Sequence, residues 1–308
     1  MEASILMLCW NHEKYIKQSL ESIFAQTSKD FEILFLDNTS TDNSFETAKH
    51  ILENSGFAYQ IYRNEAPQPV PKNLNFLLER SSGEYIFPFS ADDWMATENI
   101  AEKVSLLKSK ADIGLVFGGG WNYYEDTGNY SEINRNKFKR GNMVNNLLLD
   151  RESYFYVGPA YKRSAIMEVG KWDENLLMED LDLNLRIAMK YQVDFVPQSL
   201  IYYRRHSASY TANYPLLERS FQQYYEKYKR YNDLPIRQWM SDTYRHLTFP
   251  ALNNKDYGAT LKFLYKSFVL RPGIGSLITA GSLTKELLAK VKPIRSTWRF
   301  ARKLFAKS

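Results

Sequence analysis

Two adjacent carboxylates, Asp92 and Asp93, follow the apolar run YIFPF and precede Trp94. Neighbouring carboxylates repel, so the pair is costly unless water, a helix N-terminus or a cation intervenes. A second pair, Glu179 and Asp180, stands before Leu181, Leu185 and Ala188, which fall at helical spacing. Acids at a helix start are favoured by the macrodipole and can cap free N–H groups. A carboxylate there that faces a crevice can equally serve as a general base. Asn11 and Asp37 also close apolar runs.

The elements around these residues alternate in period. Ser4 to Leu8, Phe31 to Leu36, Phe57 to Tyr62 and Glu84 to Phe89 read as strands. The stretches His12 to Gln26, Phe45 to Leu52 and Asn73 to Arg80 between them carry helical patterns. Strands separated by helices imply a doubly wound, mostly parallel sheet, and ligands of such sheets sit outside the carboxyl ends of the strands. Asn11, Asp37, Asp92 and Asp93 therefore converge on one crevice. Pro88 is placed near a strand end, because proline cannot donate to a ladder. Further on, GLVFGGG reads as a short strand entering a flexible turn, and 121–150 as a long polar loop. Helices over 164–169 and 181–190 and a strand near 194–197 follow, and from 216 the chain reads as helices.

Bulk properties narrow the function. A chain of 308 residues can bury a large core. The one cysteine, Cys9, excludes an internal disulfide framework and a thiolate zinc site, and makes a reducing cytoplasm the expected compartment. The start lacks the basic and apolar pattern of a secretory signal, and no run approaches the roughly 20 apolar residues of a membrane span. The net charge of +5 is concentrated at the end, where residues 285–308 hold eight Lys or Arg against Glu286 alone. That distribution argues against a nucleic-acid-binding body. No GxGxxG and no GxxxxGK[ST] follows the first strand, so backbone cradling of phosphates is absent. A divalent cation, Mg²⁺ or Mn²⁺, is the substitute that carboxylates can hold and phosphate oxygens can complete.

Five stretches taken in order resemble family 2 glycosyltransferases of the GT-A fold, of bacterial envelope or exopolysaccharide type: SILMLCWNHEKYIKQSLESIFAQT, FEILFLDNTSTDNS, RNEAPQPVPKN, GEYIFPFSADDW and VGKWDENLLMEDLDLNLRIAMKY. The resemblance spans about residues 4–210. It implies a Rossmann-like GT-A domain over 1–215, a helical extension over 216–308, and inverting transfer from a nucleotide-diphosphate sugar, a UDP-sugar, to a hydroxyl of a glycan or lipid-linked saccharide. It implies a donor site drawing on Cys9, Trp10, Asn11, Asp37, Asn38, Lys72, Asp92, Arg204 and Arg205, with Asp37 on the base or ribose. Asp92 and Asp93 match the DXD-type metal motif, with His206 as a further ligand to Mn²⁺ or Mg²⁺. Asp180 matches the catalytic base, supported by Glu179. Three positions depart from the pattern: Ser90 where an aspartate is usual, Leu8 and Cys9 in place of Pro-Thr, and Pro71 in place of a small residue.

The terminal 285–308 mixes its basic residues with Leu287, Leu288, Trp298, Phe300 and Phe305. Such a segment either adsorbs to an anionic membrane or packs its apolar side on the body. Two other readings stand beside the transferase. A sugar-phosphate nucleotidyltransferase would show a Gly-rich basic phosphate loop, which LCWNHEKY lacks. A non-catalytic carbohydrate-binding scaffold would not need Asp180, and donor hydrolysis would dispose of it.

Overall fold

The computed structural model describes residues 1–133, 135–150, 152, 154–206 and 214–272. The expectations for the basic terminus 285–308 lie outside the described residues. Two compact units emerge: Met1–Asn213 with Gln222–Lys227, and Tyr214–Phe221 with the residues from Tyr228 on.

The first unit is built on a mixed sheet of nine strands. Its parallel half is β3 (Ala58–Arg63), β2 (Phe31–Asp37), β1 (Ala3–Cys9) and β4 (Tyr85–Ser90), side by side in that order. These strands are connected by α1 (Glu13–Phe24), α2 (Ser44–Glu53) and α3 (Val70–Arg80). β1 and β2 are apolar along their whole length because both faces are covered. Ile5, Met7, Ile33, Phe35, Phe87 and Phe89 join the core on one face. Leu6, Leu34, Leu36 and Ile86, the alternate positions, join the core on the other.

Pro88 sits inside β4, opposite Leu6. Tyr85 N donates to Glu2 O and Ala91 N to Leu8 O, so odd positions address β1 and the nitrogen of Pro88 faces away from it. On that side the next strand, β8 (Ala160–Lys162), pairs only with Tyr85 and Ile86. The ladder therefore never needs the proline's missing N–H.

Beyond β4 the sheet becomes mixed, as the less regular pattern after residue 110 leads one to expect. After β5 (Trp94–Met95) and α4 (Asn99–Ser109), β6 runs unbroken from Ile113 to Tyr124 through Gly118, Gly119 and Gly120. The expected flexible turn is thus a bulged strand, with register shifts at those glycines. Small residues are needed there, since a Cβ on Gly120 would lie 2.4 Å from Phe155 Cε1. The polar stretch expected as a loop contains β7 (Asn129–Glu132), a 3₁₀ turn at Arg135–Lys137 and α5 (Val144–Leu149). It was misread because an edge strand with both faces wet has no apolar alternation.

β8 is followed by α6 (Arg163–Glu168), α7 (Glu179–Ala188) and β9 (Gln192–Arg205). β9 is far longer than the four residues expected, pairing parallel with β6 and antiparallel with β5. That length carries Arg204 and Arg205 back toward the end of β4.

The second unit contains the helical hairpin α9 (Ile236–Asn253) and α10 (Tyr257–Leu270), preceded in the chain by α8 (Tyr214–Tyr228). Tyr244 stacks on Phe263 at 6.0 Å, Ser241 Oγ donates to Ser267 O at 2.9 Å, and Asp256 caps α10 by accepting from Ala259 N. Among the described residues no helix is long and apolar enough to cross a membrane.

Candidate active site

The carboxyl ends of β1, β2 and β4 carry the polar residues singled out by sequence. After β1 the chain turns through Asn11 at φ 57, a left-handed conformation that Asn tolerates. Its backbone N donates to Ser40 Oγ at 2.8 Å and its Oδ1 accepts from Thr41 N at 2.8 Å. Asn11 thereby ties the ends of β1 and β2 together, and Trp10 beside it stays 58% exposed.

Asp37 closes β2 and is fully buried. Its Oδ2 accepts from Ser40 N at 2.9 Å and lies 3.4 Å from Arg63 Nε, while Oδ1 is buried without a partner. A buried carboxylate oxygen with no donor is expensive, so this atom is the acceptor that a ligand N–H or O–H fits. Arg63 was not anticipated from sequence. Only its register position on β3, opposite Asp37 of β2, reveals it.

Asn38 is engaged at both ends of its side-chain amide. It donates to Gln68 O and accepts from Gln68 N and Asn64 Nδ2. Gln68 Oε1 in turn accepts from Lys72 Nζ at 3.0 Å. Asn38 therefore positions the 64–68 loop rather than presenting free groups to a donor, and exposed Lys72 borders that loop. Cys9, expected at the donor site, is buried, and burial pushes its thiol up to about 12, so it is a neutral thiol.

The two acids after β4 have separate fates. Asp92 Oδ2 lies 3.1 Å from His206 Nε2 and 3.8 Å from His12 Nε2, and its Oδ1 accepts from Ser90 Oγ. Burial opposes its ionisation, but the His206 hydrogen bond, the charge of His12 and the Ser90 hydroxyl outweigh it and hold the carboxyl below its usual range. Asp93 points inward, is 4% exposed and accepts from Arg204 N at 2.9 Å. Burial, then the neighbouring Asp92 charge, push it well above its usual range. Asp93, expected from sequence as a metal ligand beside Asp92, is thus turned inward, because the turn sends consecutive side chains to opposite sides. The cost of adjacent charges is avoided in this way, with one acid ionised and the other favouring its proton.

Arg204, expected from sequence at the donor site, is held by several partners. Its Nε donates to Asp92 O at 2.8 Å, an Nη donates to Gln18 Oε1 at 2.5 Å, and its guanidinium lies 4.5 Å over Tyr15 and 4.7 Å over Trp94. With 6% exposure it braces the Asp92 turn instead of offering a free fork to phosphate. Arg205 is partly exposed; its Nε donates to Asn122 Oδ1 at 3.0 Å and its guanidinium lies over Tyr203. It lines a cavity of about 280 Å³ with Ile133, Lys137, Glu152, Tyr154, Phe155 and Tyr156.

His12, like Arg63, is a site residue that sequence reasoning missed. Its signal was present, since it starts the helix that follows a polar strand end. Burial lowers its pKa against the pull of Asp92, and its Nδ1 is buried without a partner.

Glu179 and Asp180 open α7, and Asp180 Oδ1 accepts from Leu181 N at 2.7 Å. Their charges act on Tyr161 of β8, the strand beside β4. Asp182, on the same turn, is fully buried between Lys227 at 2.6 Å and Arg186 at 2.6 Å. No described cation pairs with Glu179 or Asp180. Burial, then the Asp180 charge, raise Glu179 to about 8, and burial raises Asp180. One helix start therefore holds a neutralised structural acid and two uncompensated ones.

Among the described residues no three His, Cys, Asp or Glu side chains form a metal-binding group. Asp92 and His206 nonetheless bring an ionised carboxylate and an imidazole nitrogen to one point, a pair that Mn²⁺ accepts when phosphate oxygens and water complete its shell.

Residues 4–170 match the model of "Glycosyl transferase family 2". The chain belongs to that family. It is 30% identical over 213 residues to an uncharacterized glycosyltransferase of Methanocaldococcus jannaschii, covering 65% of this chain and 70% of that one. Among solved structures, the 1–349 fragment of TarS from S. aureus superposes with a TM-score of 0.65 at 15% identity, covering 88% of this chain and 81% of that one. The same fragment has been solved in complex with UDP-GlcNAc. The mannosyltransferase PcManGT of Pyrobaculum calidifontis, in complex with GDP-Man and Mn²⁺, gives 0.63 at 15% identity over 96% and 82%. The family 2 chain is thus a glycosyltransferase with the GT-A fold.

Proposed function

We propose that this family member moves a sugar, with inversion, from a UDP-sugar to a hydroxyl of a glycan or lipid-linked saccharide. The observation carrying this reading is the divergence of its carboxylates. Asp92 is held ionised between imidazoles at the end of β4, whereas Glu179 and Asp180 are uncompensated and raised at the head of α7. Transfer of a glycosyl group through an oxocarbenium-like transition state needs both kinds, one for the leaving diphosphate and one for the incoming hydroxyl.

Asp180 removes the acceptor proton as the acceptor oxygen bonds to the anomeric carbon. The bond from that carbon to the diphosphate oxygen breaks, and its electron pair leaves with the diphosphate. Glu179, sharing the site, keeps the affinity of the pair for a proton near neutrality, where a base works best. Asp92 and His206 would hold a divalent cation, Mn²⁺ or Mg²⁺, which would neutralise the charge of the diphosphate. Arg204 and Asp93 position the turn that bears Asp92. The unpartnered Asp37 Oδ1 accepts an N–H of the base, beside the exposed ring of Trp10. Lys72, bordering the 64–68 loop, faces the nucleotide end. The TarS and PcManGT complexes, with UDP-GlcNAc and with GDP-Man and Mn²⁺, support a nucleotide-sugar donor and a cation.

The acceptor saccharide lies in the cavity of Tyr154, Tyr156 and Arg205, whose aromatic faces suit sugar C–H surfaces. Arg205 joins that cavity to the reaction centre, since the next residue is His206. Residues 1–215 form the transferase domain and 216–308 a helical extension. The protein works in the cytoplasm at the inner face of the membrane, drawn there by 285–308. Asp180→Asn tests the reading: turnover falls by ~10²–10⁴ while donor affinity by calorimetry stays unchanged. Turnover near that of the parent protein overturns the base assignment.

A further inference from the structure

α10 exposes an apolar face that the fold does not use. Tyr257, Leu261, Tyr265, Phe268 and Val269 are each between 44% and 69% exposed. At helical spacing they lie within an arc of roughly 120°. The opposite side of the same helix, with Thr260, Phe263 and Ser267, is the buried one. Monomeric soluble proteins rarely carry so many large apolar side chains in one contiguous exposed patch.

The charge of the stretch of sequence to which α10 belongs says what covers it. Residues 254–308 hold twelve Lys or Arg against two acids, Asp256 and Glu286, a net +10. The remaining 253 residues hold 28 basic and 33 acidic side chains, a net −5. Aromatic and aliphatic side chains on one helix face, within a strongly basic stretch, match the interface of a bilayer rich in anionic lipid. A protein partner or a second copy would need a complementary acidic apolar groove. Among the described residues of the second unit the patch is a single helix face whose exposed side chains are all apolar or aromatic.

We propose that the exposed face of α10 is the folded surface that lies on an anionic membrane, with Tyr257, Leu261, Tyr265 and Phe268 entering the interfacial layer. The inference rests on the membrane placement proposed above and names the docking surface within the described fold. It makes the basic terminus an electrostatic attractor and α10 the apolar contact.

The test uses the full chain and vesicles of 30% phosphatidylglycerol in phosphatidylcholine. The parent protein floats with these vesicles and not with pure phosphatidylcholine. The variant L261S/Y265S/F268S, altered only at exposed positions, loses about tenfold in vesicle partitioning, although every basic residue remains. Should the triple variant fail to fold, Tyr265→Ser alone is measured and a severalfold loss is expected. Flotation of the folded variants equal to that of the parent overturns the proposal. So does a parent protein that stays in the soluble fraction, or a parent that is dimeric by light scattering when the variant is monomeric. Mn²⁺-dependent hydrolysis of UDP-GlcNAc and UDP-glucose, assayed without vesicles, is expected to be equal for parent and variants. Its absence from all of them counts against the donor reading and leaves the flotation result standing.

Discussion

Arg204→Met separates a brace from a phosphate ligand. The substitution keeps an unbranched side chain but removes two donors, leaving the Asp92 carbonyl and the Gln18 amide oxygen without their partner. Charge-assisted hydrogen bonds contribute about 1.5–3 kcal/mol each. The guanidinium also lies over three rings, Tyr15 at 4.5 Å, Trp94 at 4.7 Å and Tyr123 at 5.2 Å, and a buried cation–π contact is worth roughly 1–2 kcal/mol. Non-additivity and the packing retained by Met bring the total to roughly 4 kcal/mol. For a unit of this size that lowers the thermal midpoint by about 10 °C. Differential scanning calorimetry reads the midpoint, and titration with UDP in Mn²⁺ reads donor affinity on the same samples. Arg204→Lys, which retains the charge and loses the fork, is expected to fall most of the way to the Met variant. A midpoint within about 2 °C of the parent, accompanied by a large loss of UDP affinity, would show that Arg204 contacts the diphosphate and that the brace argument is wrong.

Three further outcomes are expected. His206→Ala removes the hydrogen bond that lowers Asp92 and one proposed metal ligand, so Mn²⁺-dependent UDP affinity falls by at least tenfold while affinity without metal is unchanged; calorimetry with and without Mn²⁺ decides. Glu179 is raised to about 8 in the fold, so the folded state holds a proton the unfolded chain has lost, and stability declines as pH climbs from about 4.5 to about 8. Glu179→Gln flattens that decline in thermal melts, and shifts the rising limb of kcat/KM against pH downward by removing the charge beside Asp180. Lys103 is fully buried with Nζ donating to Gly158 O, and burial lowers it to about 7, so its share of stability increases as pH rises from about 7 toward about 10. Lys103→Met removes that increase, and a parallel pair of melt-versus-pH curves would refute it.

Much of the first half was legible in the residues themselves. The fully apolar SILML and FEILFL can only be strands covered on both faces, and the helical periods between them impose right-handed crossovers and a parallel order. With that order, Asn11, Asp37 and Asp92 had to share one edge. β6 and β9 were legible only in part, because a glycine run reads locally as a turn and IYYRR lacks the apolar alternation of a strand. Their strand conformation comes from pairing with each other over 11 positions far apart in the chain.

The residue types and their spacing determined the family, the sheet and the edge on which the polar groups gather. What only tertiary structure decided is which of those groups is presented and in what charge state. Asp92 and Asp93 are chemically identical neighbours, yet one is ionised between two imidazoles and the other is buried beneath Arg204. Likewise Asp182 is neutralised by Lys227 and Arg186, whereas Asp180, two residues before it, meets no cation among the described residues. The physical reason is that a carboxyl's proton affinity depends on burial and on charges brought within a few ångströms, and those charges come from β9, α1 and α8, distant in sequence.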